Sequence, residues 1–188
     1  EYVRRKNYDA VEKLAWERFE RRPGDTDFFE LLKTAKQIDR LDGLRQRAMS
    51  FLETRVAREE AAGQKPSVWL HNTRDTLLEI HLAEKNAEAM WTTLKGGPTG
   101  SRLWEQCADL RGKTHPEDAI PLYFNLLPQA VNQGASNARY ESAFRIVQSI
   151  GKLRKQQDRV AEFKQELARI RLEYKAKRNF IKLLSTLG

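Results

Sequence analysis

One face of a predicted helix carries residue types that often bind metal ions. His71, Asp75 and Glu79 stand four residues apart, so a helix places them in one row. Imidazole and carboxylate groups in such a row are ligands for transition metals. A structural zinc site needs about four Cys or His ligands, whereas this chain has one Cys and three His. We therefore expect a solvated polar stripe, and no cofactor in this chain.

Cys107 is the one thiol, and a thiol is a candidate for nucleophilic catalysis. It stands between Trp104 and Leu110 on an apolar stripe, where a cysteine is more often packed in the core than reactive. The sequence contains no Gly-x-Ser-x-Gly motif, and the glycine-rich segment 96–100 lacks the Gly-Lys-Ser/Thr ending of a phosphate-binding loop. We therefore expect that the chain is not an enzyme.

The C-terminal part of the chain concentrates its positive charge. Residues 152–182 contain eleven Lys/Arg and four Asp/Glu, a net charge of +7, while the whole chain carries +8. Such a cluster indicates a contact surface for nucleic acid or for an acidic protein. The favoured interpretation is a solvated terminal helix, because the ends of helical arrays need a polar outer face. The candidate contact residues, here termed the C-terminal basic set, are Arg154, Lys155, Arg159, Arg169, Arg171, Lys175, Lys177 and Arg178.

The four tryptophans, Trp16, Trp69, Trp91 and Trp104, occur about once per predicted helix pair. We expect them to pack between helices. The alternative is that a tryptophan near a helix start, such as Trp69, lines a groove that anchors a partner peptide.

Helices must position these residues, because nearly every segment has apolar residues at helical spacing. Breaks are predicted at residues 22–25, 42–43, 62–66, 96–98, 112 and 134–137. A helix from Val68 to about Lys85 is predicted, with Ser67 as its cap. Pro121 and Pro128 predict a kink or a broken helix in segment 116–131.

The predicted fold class is all-α, with antiparallel helix pairs stacked as an irregular tetratricopeptide-like α-solenoid. Short connections between successive helices favour antiparallel neighbours. The content of ten Gly and six Pro is low for 188 residues, which argues against a β fold with many tight turns. We expect one α-helical repeat domain over residues 1–188.

The cysteine content bounds the compartment. A single cysteine excludes an intramolecular disulfide framework and favours a reducing environment, so we expect a cytoplasmic protein. No apolar run approaches the roughly 20 residues that span a bilayer, so we expect no membrane contact. The chain opens on Glu1-Tyr2-Val3 without a Met, and we expect it to be the C-terminal fragment of a longer protein.

Three segments carry a resemblance to a known family: residues 8–19, 115–123 and 140–184, the last of which contains Lys177-Arg178-Asn179-Phe180. They resemble the C-terminal region of bacterial SWIM zinc-finger family proteins. The resemblance implies a helical, tetratricopeptide-like domain of uncharacterised function. The zinc finger of that family, Cys-x-Cys…Cys-x-His, precedes this region and has no match here. Zinc is therefore implied only for a preceding part.

Two functional hypotheses follow. The leading one is a non-enzymatic helical-repeat scaffold for protein–protein interaction, part of a larger SWIM zinc-finger-like protein. The alternative is a nucleic-acid-binding helper domain that uses the basic C-terminal helices. Ionic strength separates them, because phosphate binding weakens steeply with salt and binding in an apolar groove does not.

Overall fold

The computed structural model describes residues 7–63, 72–136 and 139–187. These residues form ten α-helices and two short 3-10 helices, without a strand, which confirms the all-α prediction. The chain divides into two compact units, Glu1–Leu103 and Trp104–Gly188. The expectation of one repeat domain over residues 1–188 stays a prediction. No helix in the described ranges is long and apolar enough to cross a membrane.

The first unit packs five α-helices around an aromatic core. Phe19 and Phe28 are fully buried there, and the ring of Trp16 packs edge-on against Phe51 at 5.8 Å between centroids. Hydrophobic spacing along each helix therefore places one apolar face inward. The helices are α1 (Tyr8–Arg21), α2 (Asp25–Gln37), α3 (Leu41–Ala61), α4 (Thr73–Ala83) and α5 (Ala87–Lys95), followed by a 3-10 turn (Ser101–Leu103).

The start of α4 differs from the prediction. Asn72 is the N-cap, and its side chain accepts a hydrogen bond from the backbone N–H of Asp75 at 2.7 Å. An asparagine in this role fixes the first turn, so α4 begins at Thr73 and not at Val68. The predicted cap, Ser67, lies outside the described residues.

The break predicted at residues 42–43 is wrong, because α3 already begins at Leu41. The turn lies at Asp39, which has a left-handed φ of 58°. The N–H groups of Asp39 and Arg40 bond back to the carbonyls of Lys36 and Ala35. This closure normally uses glycine, but aspartate also tolerates the left-handed region. Because the prediction relied on Gly43 as the helix breaker, it placed the break after the actual turn at Asp39.

The second unit contains five more helices around its own core. Val147, Ile150, Phe180 and Leu184 are fully buried in it. The helices are α6 (Trp104–Arg111), α7 (Pro116–Ala135), α8 (Glu141–Gln156), α9 (Val160–Glu173) and α10 (Arg178–Leu184), with a final 3-10 turn (Ser185–Leu187).

Helix α7 is continuous through Pro121 and Pro128, so the helix is not broken there, while the alternative of a kink stays a prediction. Both prolines are exposed, and water can reach the carbonyls that lose a helical partner. The opposite face of α7 is buried at Tyr123, Leu127 and Val131. This burial outweighs the missing hydrogen bonds. Helix α7 also continues through Gly134, which is buried, so the loop predicted from this residue begins later.

Candidate functional site

Two members of the C-terminal basic set hold the fold together. The guanidinium of Arg154 forms two hydrogen bonds to the Glu166 carboxylate, the shorter at 2.6 Å, and lies 3.2 Å from Glu162. Arg171 donates to the backbone carbonyl of Leu184 at 2.7 Å. The Glu166 hydrogen bond, against a smaller opposing effect of burial, raises the pKa of Arg154. These two arginines join helices and are not free contact groups.

The other six members of the set lie nearer to solvent. Arg159 is exposed and pairs with Glu162 at 3.6 Å within its own helix turn. Lys177 is half-buried at the start of α10. The remaining four, Lys155, Arg169, Lys175 and Arg178, are exposed and have no ion pair within the described part of the chain. The structure therefore divides the predicted set into structural arginines and solvated cations.

A pocket of about 260 Å³ lies in the second unit, among α6, α7 and α8. Its apolar lining comes from Ala108, Gly112 and Leu153, and its aromatic lining from Tyr123. Its polar lining consists of Asp109, Lys113, Ser149, Lys152 and Gln156. The pocket thus joins a short apolar surface to two ammonium groups, one carboxylate and several hydrogen-bonding groups.

The packing of α7 between its neighbours creates this pocket. Helices α6 and α7 are antiparallel. Asp109 of α6 contacts Tyr123 of α7, whereas Arg111, later in α6, contacts Asp118, earlier in α7. Along α7 and α8, Tyr123 and Ser149 line the same pocket, whereas Gly134 lies against Tyr140 near the other end. Helices α6 and α8 therefore run in the same direction on the two sides of Tyr123. Their C-terminal ends form the walls of the pocket.

An ion pair secures the end of α6 against the start of α7. The Arg111 side chain is almost fully buried, and its Nε donates to the Asp118 carboxylate at 2.7 Å. The backbone carbonyl of Arg111 also accepts from the N–H of His115 at 2.9 Å, which closes the turn. A buried charge pair of this kind is costly to separate. The wall of the pocket is therefore fixed.

Tyr123 forms the base of the pocket and controls its carboxylate. Its hydroxyl donates to Asp109 Oδ1 at 2.5 Å, and its ring is only 2% exposed. Burial, followed by this hydrogen bond to Asp109, raises the pKa of Tyr123. The phenol therefore stays protonated near neutral pH. It acts as a hydrogen-bond donor and not as a base.

The two lysines of the pocket have no carboxylate partner. Lys113 and Lys152 are exposed and make no ion pair within the ranges that the structure describes. Asp109, which shares the pocket, is engaged by Tyr123 instead. Two ammonium groups therefore remain available to an incoming negative group.

The expectation of a solvated polar stripe on α4 is wrong at Asp75, which is buried, because the fold uses its carboxylate. Asp75 is buried and accepts from the backbone N–H of Gly100 at 3.0 Å. Glu79 accepts a hydrogen bond from Arg102 at 2.5 Å. His71 lies outside the described residues, so the row of three stays a prediction. Within the described ranges, no group of three or more His, Cys, Asp or Glu residues could hold a metal ion.

Cys107 is fully buried, which confirms that it is a core residue. Trp16 is buried as predicted, and the Arg47 guanidinium lies 3.7 Å above its ring centre. Trp91 and Trp104 are half-buried. Trp69 lies outside the described residues, so the groove alternative stays a prediction.

The sequence interpretation missed the pocket residues. Asp109 and Lys113 frame the end of α6, and Ser149 and Lys152 are polar residues near the end of α8. Tyr123 lies at helical spacing with the apolar residues Ile120 and Leu127, which indicates a buried ring but names no partner for its hydroxyl. A buried tyrosine needs one, and that requirement was the available signal.

No family model, no curated protein and no solved structure matches this chain.

Proposed function

We propose that this chain is a non-enzymatic helical scaffold that binds an acidic segment of a protein partner through the exposed cations of its second unit. We also propose that the helix pairs within each unit are tetratricopeptide-like repeats. We propose further that the chain is part of a larger, cytoplasmic bacterial protein similar to the SWIM zinc-finger family. The resemblance of its sequence to the C-terminal region of that family supports this proposal.

Unpaired positive charge is the observation that carries the proposal. The second unit has a net charge of +6 and the first unit +2. Lys113, Lys152, Lys155, Arg169 and Lys175 are exposed, and no carboxylate in the described ranges pairs with them. A group of exposed cations attracts negatively charged partners and accelerates their association.

The environment of the reactive side chains supports binding over catalysis. The Cys107 thiol is fully buried, and the Tyr123 phenol has a raised pKa. His81 is also buried, and burial lowers its pKa. Since none of these groups combines access with a suitable protonation state, they serve packing better than acid–base or nucleophilic chemistry.

The aromatic residues favour a protein partner over a single-stranded nucleic acid. Proteins that bind single strands stack bases on accessible aromatic rings. Among the described residues of the second unit, every aromatic side chain is buried or half-buried. Tyr123, Tyr140 and Phe180 are core residues, with Tyr140 stacked on Phe180 at 5.5 Å. Among the described residues of this unit no ring is fully exposed, which disfavours base stacking.

A titration with labelled ligands tests the proposal. The full chain is mixed with a fluorescein-labelled peptide of alternating glutamate and serine, and separately with a labelled DNA duplex. Fluorescence anisotropy is measured at low and at near-physiological salt. We expect saturable binding of the peptide that weakens as salt is added, because exposed charges are screened. We also expect the triple variant Lys155→Glu, Arg169→Glu, Lys175→Glu to weaken it at least about tenfold.

A matched variant controls for the change in total charge. Arg21, Lys36 and Arg58 are exposed cations of the first unit without an ion pair in the described structure, and reversing all three to Glu gives the same charge change. This control should retain most of the peptide affinity. Absence of peptide binding by the parent chain would contradict the proposal. Tight DNA binding that falls steeply with salt would instead support the nucleic-acid alternative.

A further inference from the structure

We infer that the pocket among α6, α7 and α8 is an anchor site for one carboxylate side chain of the acidic protein segment. Lys113 and Lys152 bind the carboxylate, and the hydrogen bond from Tyr123 to Asp109 weakens the competition of this carboxylate for them. This inference rests on the proposed function and adds the place and the chemistry of its central contact.

The size of the pocket limits the ligand to a small group. Its volume is about 260 Å³. Sites for drug-sized ligands and cofactors usually measure about 300–1,000 Å³, so this pocket lies below that range. A glutamate side chain fits within this volume.

The charges of the pocket select a single carboxylate. Lys113 and Lys152 against Asp109 give the lining a net charge of +1. One carboxylate would neutralise this lining, whereas a doubly charged phosphate would leave the occupied pocket with a net charge of −1. The charge complement therefore favours an acidic side chain over a phosphate group.

The hydrogen bond from Tyr123 makes the two lysines available. The Asp109 carboxylate shares the pocket with Lys113 and Lys152, yet neither ammonium group pairs with it in the described structure. The Tyr123 hydroxyl donates to Asp109 Oδ1 at 2.5 Å. This bond makes Asp109 a weaker ion-pair partner, and the two lysines stay unpaired.

The inner wall of the pocket suits the methylene groups of a glutamate. Ala108 and Leu153 are buried and contribute apolar surface. At Gly112 the wall is closed, because a Cβ atom there would lie 3.1 Å from Leu153 Cδ2 and 2.9 Å from the Ala108 carbonyl oxygen. The pocket therefore opens outward, past the exposed side chains of Lys113, Lys152 and Gln156.

Two variants of the full chain test the anchor with the same glutamate–serine peptide. The first removes the charges with Lys113→Ala and Lys152→Ala. The second, Gln156→Trp, fills the opening at an exposed position and leaves the net charge unchanged. We expect the first to weaken peptide binding about five- to thirtyfold, since two partly exposed ion pairs are lost. We expect the second to weaken it to a similar extent by exclusion.

A charge-matched control separates the pocket from general attraction. Lys164→Ala with Lys182→Ala also removes two exposed lysines, both outside the pocket, and should change the affinity by less than about threefold. Circular dichroism melting of each variant shows that the fold is retained. At constant ionic strength, sodium butyrate, which has one carboxylate and the methylene groups of a glutamate side chain, should displace the peptide more effectively than sodium phosphate.

The outcomes distinguish failure of the anchor site from failure of the proposed function. If the parent chain binds the peptide and Gln156→Trp binds it equally well, the anchor inference is wrong and the proposed function stands. An equal loss in the Lys164/Lys182 control would likewise overturn the anchor, because the attraction would then be general. More effective displacement by phosphate would refute the selection of a carboxylate. If the parent chain does not bind the peptide, the proposed function itself fails.

Discussion

Replacing Tyr123 by Phe isolates the hydroxyl at the base of the pocket. The ring is 2% exposed, so Phe retains its packing and removes only the donor to Asp109. A hydrogen bond to a charged group contributes about 1.5–3 kcal/mol. Asp109 is exposed, and water can replace part of this bond. We therefore expect the free energy of unfolding to fall by about 1–2 kcal/mol.

A double-mutant cycle with Asp109→Ala tests whether this loss belongs to the pair. Urea unfolding gives the free energy of each variant. In the Asp109→Ala background, Tyr123→Phe should cost less than about 0.5 kcal/mol, because the bond is already gone. An equal cost in both backgrounds would show that the hydroxyl acts elsewhere, and it would remove the argument that Tyr123 controls Asp109.

The two substitutions should have opposing effects on peptide binding. In Tyr123→Phe, Asp109 is released and can pair with Lys113 or Lys152. The affinity for the glutamate–serine peptide should then fall about two- to fivefold, which corresponds to one exposed ion pair. Adding Asp109→Ala removes the competitor and should restore the affinity. A further loss in the double variant would refute this competition.

Three more predictions concern stability, each measured by urea unfolding. A Cβ atom at Gly151 would lie 2.7 Å from Phe163 Cζ, so Gly151→Ala should destabilise the protein by about 1 kcal/mol. In a Phe163→Ala background the same substitution should stabilise it, because only the higher helix propensity of alanine remains. Burial holds the pKa of His81 below its usual 6.5, so the unfolded chain binds a proton that the folded chain does not. The free energy of unfolding should therefore fall below about pH 6.5, by up to about 1.4 kcal/mol per pH unit, and His81→Phe should remove this part of the slope. Arg154→Ala should cost about 1–3 kcal/mol because it leaves Glu166 without its partner, whereas the exposed neighbour Lys155→Ala should cost less than about 0.5 kcal/mol; equal costs would contradict the division of the basic set.

The candidate site was only partly accessible from the sequence. The concentration of charge in residues 152–182 is a property of composition, and it led to the C-terminal basic set. Which members are free is a property of packing. Arg154 and Lys155 are adjacent in the chain, yet one is bound by Glu166 across two helices and the other is solvated. The partner in α9 lies twelve residues away, and helical spacing within α8 does not indicate it.

The sequence by itself determined the all-α fold class, most of the helices and the inward faces, because apolar residues at a period of 3.6 require a buried stripe on each helix. It also determined that Cys107 belongs to the core. The tertiary structure decided where helices end without glycine, as at Asp39, and that α7 continues through Pro121 and Pro128. It also decided that Asp109, Tyr123 and Lys152 share one pocket. Such contacts join three helices and depend on their relative placement, which local periodicity does not encode.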